Sequence, residues 1–234
     1  MVVLGTEKPL IDIAINTTRR LQVNQRWQPD LYHDVFRNRL YISNEQLPYS
    51  YIGKYTEDSI TNRMPAGIKR VVFHGLSPMD IYLDSIVGSR WHMICYRLIV
   101  EIAKKVPSWR MKNHLYRRLG VNVDQNTIIA PNVSIDYIRP ELVRIGKNVV
   151  VGEEAMLLTH LLYPNKMEIG PISIGDDCVV GVRALILPGV TIGDRVTISA
   201  YSVVAHDVPS DAALLAPKSC LQPRERNETT YVLK

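Results

Sequence analysis

Ile174-Gly175-Asp176-Asp177-Cys178-Val179, followed by Val180-Gly181-Val182-Arg183-Ala184-Leu185, opens a stretch to Pro209 that is written in sixes. An aliphatic residue recurs at Ile174, Val180, Ile186, Ile192, Ile198 and Val204 without a miss. The next position is small at Gly175, Gly181, Gly193, Ser199 and Ala205, with Leu187 the exception. A helix repeats its apolar face about every 3.6 residues and a strand about every two, so neither fits as a long element. A chain that runs straight briefly and then turns a corner does fit. Three such sides close a triangular coil, and stacked coils bury one continuous core. In that geometry Ile174 stacks on Ile192, Val180 on Ile198 and Ile186 on Val204, at a ladder spacing of roughly 4.7–4.9 Å. The glycines are expected at the corners, where the backbone is tight.

Ile174-Gly175-Asp176-Asp177-Cys178-Val179 and Ile192-Gly193-Asp194-Arg195-Val196-Thr197, with Leu187-Pro188-Gly189-Val190 between, resemble the hexapeptide-repeat acyltransferases, most closely the maltose- and galactoside-type O-acetyltransferases. Ser199-Ala200-Tyr201-Ser202-Val203-Val204 is similar to that family's last coil. The match runs roughly from Leu119 to Pro217. The resemblance implies a mainly β fold, a left-handed parallel β-helix, assembled as a homotrimer with sites between subunits. It also implies acetyl-CoA as the acyl donor and no metal.

The rest of the chain bounds the reading. Its 234 residues allow one large domain with an appendage. A net charge of +5 permits an anionic ligand without arguing for nucleic acid. Cys95, Cys178 and Cys220 are odd in number and far apart, which suits a reducing compartment. Glu7, Lys8 and Pro9 interrupt any leader-like run, and no apolar stretch nears the roughly 20 residues that cross a bilayer. The expected location is cytoplasmic. Residues 1–76 read as an irregular or α+β extension. Within it, Asp30 is expected to cap a short helix through Leu31 and Val35, and Val71-Val72-Phe73 to form a short strand.

Residues 77–120 read as a helical collar. Trp91, Ile94, Cys95, Leu98, Ile99 and Ile102 form an amphipathic stripe, and Pro107 stops the helix. Ser108 begins another that Gly120 ends. Arg97, Lys104, Lys105, Arg110, Lys112, Arg117 and Arg118 face the single acid Glu101. Such a segment can lie on an anionic membrane surface. The favoured expectation is instead a solvated charged face on a helix that docks against the coils.

Coils are expected over residues 121–209, with 210–234 as a tail. The six-residue phase breaks after Thr159-His160 and resumes at Ile174, so residues 161–173 are expected as a loop thrown out of the stack. A loop this short predicts an open pocket. His160 stands at its root. Acyl transfer from a thioester to a hydroxyl or amine needs a base for the nucleophile's proton, and unperturbed imidazole, titrating at about pH 6.5, can accept it. The resemblance implies the same role, because the family's catalytic histidine lies just before or within such a loop.

Other residues carry over by position. The backbone around Gly181-Val182 and Ala200 is implied to meet the donor's pantetheine arm and to support the oxyanion. Ala205 and His206 stand where relatives hold the cofactor's distal end, His206 replacing a stronger cation. The run after the last coil departs from the family pattern as Leu215-Ala216-Pro217-Lys218, with Lys218 and Arg224 as candidate partners for CoA phosphates. Asp136-Tyr137 resembles the acceptor-binding pair of sugar acetyltransferases. A hydroxylated saccharide is therefore the expected acceptor. The alternatives are an antibiotic, amino acid or natural-product acceptor, or a binding scaffold that has lost the chemistry. A zinc hydratase on this fold would need three histidines, and only His160 and His206 lie in the coils.

Overall fold

The computed structural model describes residues 10, 12–14, 16, 30–34, 39–43, 52–55, 68–74, 90–164 and 166–216. From Asn122 to Leu214 the chain winds as a left-handed parallel β-helix with three faces. One face stacks Asn122–Val123, Val143–Ile145, Ile172–Ile174 and Thr191–Ile192. The second stacks Ile128–Ile129, Val150–Val151, Val179–Val180, Thr197–Ile198 and Ala213–Leu214. The third stacks Ser134–Ile135, Met156–Leu157, Leu185–Ile186 and Val203–Val204. Ile174 pairs with Ile192, Val180 with Ile198 and Ile186 with Val204, as the sixfold spacing requires. These aliphatics point into one buried core, which explains why no other residue class occupies their positions.

The corners differ from the sequence expectation in one respect. The left-handed backbone is taken by Gly189, with φ of 76°, but mostly by non-glycine residues, Asn148, Glu154, Asp177, Arg183, Arg195 and Tyr201 among them, with φ of 53–60°. Each stands two places after the small residue of its coil. At Gly181 the reason for glycine is contact with the next coil, since a Cβ there would overlap the Ala200 nitrogen and lie 2.5 Å from the Ser199 carbonyl carbon. Coil stacking, rather than turning, selects glycine at that position.

Two helices close the open end of the prism: α1 (Arg90–Lys105) and α2 (Trp109–Arg118). Buried Lys112 donates from Nζ to the Ile129 and Ala130 carbonyls at 3.1 and 2.9 Å. Asn113 Nδ2 donates to the Asp124 and Thr127 carbonyls, and the Tyr116 hydroxyl to Val133. A first coil has no coil before it to satisfy its carbonyls, and these side chains supply the missing donors. Val100 and Ala103 of α1 are buried against the coils, whereas Trp91, Ile94, Leu98 and Ile102 of the expected docking stripe are exposed.

Residues 161–173 are not an irregular loop. His160–Tyr163 and Lys166–Ile169 form an antiparallel hairpin. The hairpin's second strand pairs with Arg70–His74, extending a six-stranded sheet through Arg39–Ser43 and Asp30–Asp34 to Ile52–Tyr55. The strand expected at Val71-Val72-Phe73 is present, but Asp30–Asp34 is a strand and not the helix expected from an Asp30 cap. Pairing on both edges of Asp30–Asp34 overrides the local capping signal. A second core, with Leu40, Ile42, Val71, Phe73, Met167 and Ile169, holds the hairpin to this sheet.

Candidate active site

Asp136 ends the third face of its coil and is buried, with the side chain 1% exposed. Its Oδ1 accepts the Ile138 N–H at 2.9 Å, an Asx turn that fixes the carboxylate. Its Oδ2 accepts from the Thr159 N–H at 2.9 Å, the Thr159 hydroxyl at 2.8 Å and His160 Nδ1 at 2.5 Å. Burial pushes the Asp136 carboxyl upward, but the His160 hydrogen bond and charge, with those of Ile138 and Thr159, outweigh it and hold it below its ordinary value. An anionic Asp136 accepts Nδ1–H, which assigns the proton of a neutral imidazole to Nδ1 and leaves Nε2 with the lone pair. The ring is 17% exposed, so it reaches solvent from a fixed mount. Asp136, expected to bind the acceptor, turns its carboxylate onto His160. Tyr137 beside it is half-buried against the coil core.

Gly181, Val182 and Ala200 occupy a different corner, between the second and third faces, whereas His160 and Asp136 stand between the third and first. One chain therefore does not bring the expected base and the expected donor track together. At the Gly181-Val182-Ala200 corner Val182 accepts the Tyr201 N–H at 2.9 Å, and Arg183 lies over the Tyr201 ring and donates to its hydroxyl at 3.0 Å.

Ala205 and His206 line a cavity of about 550 Å³ with Arg39, Lys69, Arg70, Gly189 and Asp207. Arg70 donates to the Ala205 carbonyl at 3.0 Å and pairs with buried Glu168 at 3.4 Å, while Lys69 pairs with Asp207. Glu168 also meets Lys166 at 2.9 Å and Arg39 at 3.8 Å, so three cations share one carboxylate. Burial, and then the neighbouring Arg39 charge, lower the Arg70 pKa. Sequence reasoning missed Arg39, Lys69, Arg70 and Glu168, because they meet only when the N-terminal strands pair with the hairpin, and Thr159, which coil stacking sets against Asp136. Lys218 and Arg224 lie outside the described residues.

Comparison with known proteins locates the likeness in the coils. Residues 171–206 match the family described as bacterial transferase hexapeptide (six repeats). "Putative acetyltransferase YvoF" of Bacillus subtilis (strain 168) is 37% identical over 116 residues, 49% of this chain and 67% of that protein. Galactoside O-acetyltransferase of Escherichia coli (strain K12) is 31% identical over 121 residues, covering 49% of this chain and 59% of that protein. A crystal structure of a maltose O-acetyltransferase from Clostridium difficile 630 superimposes with a TM-score of 0.44 at 19% identity, over 59% of this chain and 92% of that one.

Proposed function

The chain belongs to the hexapeptide-repeat acetyltransferase family, and we propose that it moves an acetyl group from acetyl-CoA to a hydroxyl of a saccharide or related acceptor, with His160 as general base. The observation that carries this reading is the pairing of His160 Nδ1 with buried Asp136, which leaves Nε2 as the basic nitrogen. The acceptor hydroxyl donates to Nε2. As its oxygen attacks the thioester carbonyl, the proton passes to the imidazole and the C–O bond forms. The tetrahedral oxyanion then collapses, breaking the C–S bond, and the imidazolium returns the proton to the departing CoA sulfur. No bond to the protein forms at any stage. The likeness to a galactoside O-acetyltransferase supports a saccharide acceptor.

Separation of His160 from the Gly181-Val182-Ala200 corner supports a site between subunits, one supplying the base and its neighbour the donor track. A homotrimer satisfies this with three equal sites. The cavity at Ala205 and His206, whose lining carries Arg39, Lys69 and Arg70 against Asp207, suits the phosphates at the far end of CoA.

Free-thiol release from acetyl-CoA, measured against a panel of sugars and small hydroxylated acceptors, tests the reading. Acceptor-dependent release is expected, falling roughly a hundred- to ten-thousand-fold in His160→Ala. Release that survives the substitution would remove His160 from the chemistry. Absence of both release and calorimetric CoA binding would favour a scaffold.

A further inference from the structure

The apolar stripe of α1 faces outward. Trp91, Ile94, Leu98 and Ile102 are 76, 54, 60 and 49% exposed, although an amphipathic helix on a folded core normally buries such a stripe. The docked face is the neighbouring one, carrying Val100 and Ala103 with half-buried Tyr96 and Ile99. Trp109, at the start of α2, is also 45% exposed. A contiguous row of large apolar side chains in water marks a contact surface.

Charge selects what makes that contact. Residues 90–118 hold eight basic side chains and one acidic one, a net +7 against +5 for the whole chain, so the remainder is net negative. The one acid, Glu101, is already bonded to Lys104 at 2.8 Å. Arg97, Lys105, Arg110, Arg117 and Arg118 are exposed. Arg97 follows Ile94 by three residues and Lys105 follows Ile102 by three, which sets them beside and at the end of the stripe. A second copy presenting the same face would bring cations against cations. A partner with an anionic surface and an apolar interior satisfies both halves of the face.

We propose that the exposed face of α1 docks on an anionic lipid bilayer. Its stripe enters the boundary between headgroups and acyl chains, and Arg97 and Lys105 meet the lipid phosphates. Trp91 is suited to that depth, with a large apolar ring and one N–H for the wet side. Among the described residues no helix is long and apolar enough to cross a membrane, so α1 lies in the interface plane. The docking does not depend on the acetyl-transfer reading.

Flotation of the full chain with vesicles tests it, using phosphatidylcholine alone and phosphatidylcholine mixed with phosphatidylglycerol. Binding is expected only to the mixed vesicles, weakening as salt rises, with a blue shift of tryptophan emission. Leu98→Glu should lower partitioning at least about tenfold. Arg97→Gln combined with Lys105→Gln should lower it roughly twenty-five-fold, about fivefold per cation. Thermal unfolding should be unchanged in both variants, since these side chains are exposed. Absence of flotation, equal flotation on both vesicle types, or unaltered binding by Leu98→Glu would overturn the proposal. So would a smaller assembly of Leu98→Glu in sedimentation without vesicle binding by wild type, which would assign the stripe to a subunit contact.

Discussion

Asp136 accepts four hydrogen bonds, three of them on the oxygen that faces His160. That arrangement favours the charged carboxylate and fixes which imidazole nitrogen holds the proton. Asp136→Asn keeps the shape but offers an amide where the ring needs an acceptor, so the ring's tautomer is no longer held. The expected result is a fall in kcat of roughly a hundred- to ten-thousand-fold with little change in KM for acetyl-CoA, since in the proposed mechanism Asp136 positions the base and does not touch the donor. Equal losses in His160→Ala and the double variant would show the two residues acting as one unit. The pH dependence of stability follows from the same network. A carboxyl whose folded pKa is depressed contributes stability that is complete above its unfolded value and is lost as pH falls through the folded one. Chemical unfolding at a series of acidic pH values should therefore show wild type losing stability below the ordinary carboxylate range, and Asp136→Asn losing less over that window.

Among the elements, the coils are held by close approach of one backbone to the next. Gly181→Ala places a methyl group into the Ala200 backbone, where the ladder cannot give way without separating Val180 from Ile198. Overpacking of this kind should destabilise by about 1–3 kcal/mol, read as a lower midpoint in denaturant. An unchanged midpoint would mean that the coils slide more freely than their hydrogen bonds imply. This periodic part was legible in the sequence because each coil contacts only its neighbours, so the pattern at Ile174, Val180 and Ile186 directly encodes the pairing with Ile192, Ile198 and Val204. The place of His160 at the root of the excursion was also legible, through the break in phase that follows it. The hairpin was not, because Lys166–Ile169 becomes a strand by pairing with Arg70–His74, nearly a hundred residues earlier. The Asp136–His160 contact was hidden for a different reason: the insertion at Pro140–Leu142 lengthens that coil, so the sixfold spacing does not set the two residues together. The α1 stripe misled in a different way, since helical periodicity shows that an apolar face exists without showing which neighbour, if any, covers it.

At the scale of the whole molecule, the two halves of the proposed site stand on different corners of one prism, so a lone chain holds a base without a donor track beside it. In the proposed homotrimer association would supply the missing half, and subunit mixing can test it. His160→Ala removes the base while leaving the Gly181-Val182-Ala200 corner intact. Ala200→Trp, at an exposed corner position, blocks the donor track while leaving His160 and Asp136 intact. Each variant alone should be inactive. Unfolded together in equal amounts and refolded, they should regain about a quarter of wild-type activity, because that share of interfaces in a random cyclic assembly joins an intact base to an intact track. Activity that returns only on mixing places the reaction between subunits and makes the assembly part of the catalyst. A mixture as silent as its components, with sedimentation showing that hybrids form, would confine the site to one chain and require the donor to reach His160 by a path that avoids the Ala200 corner.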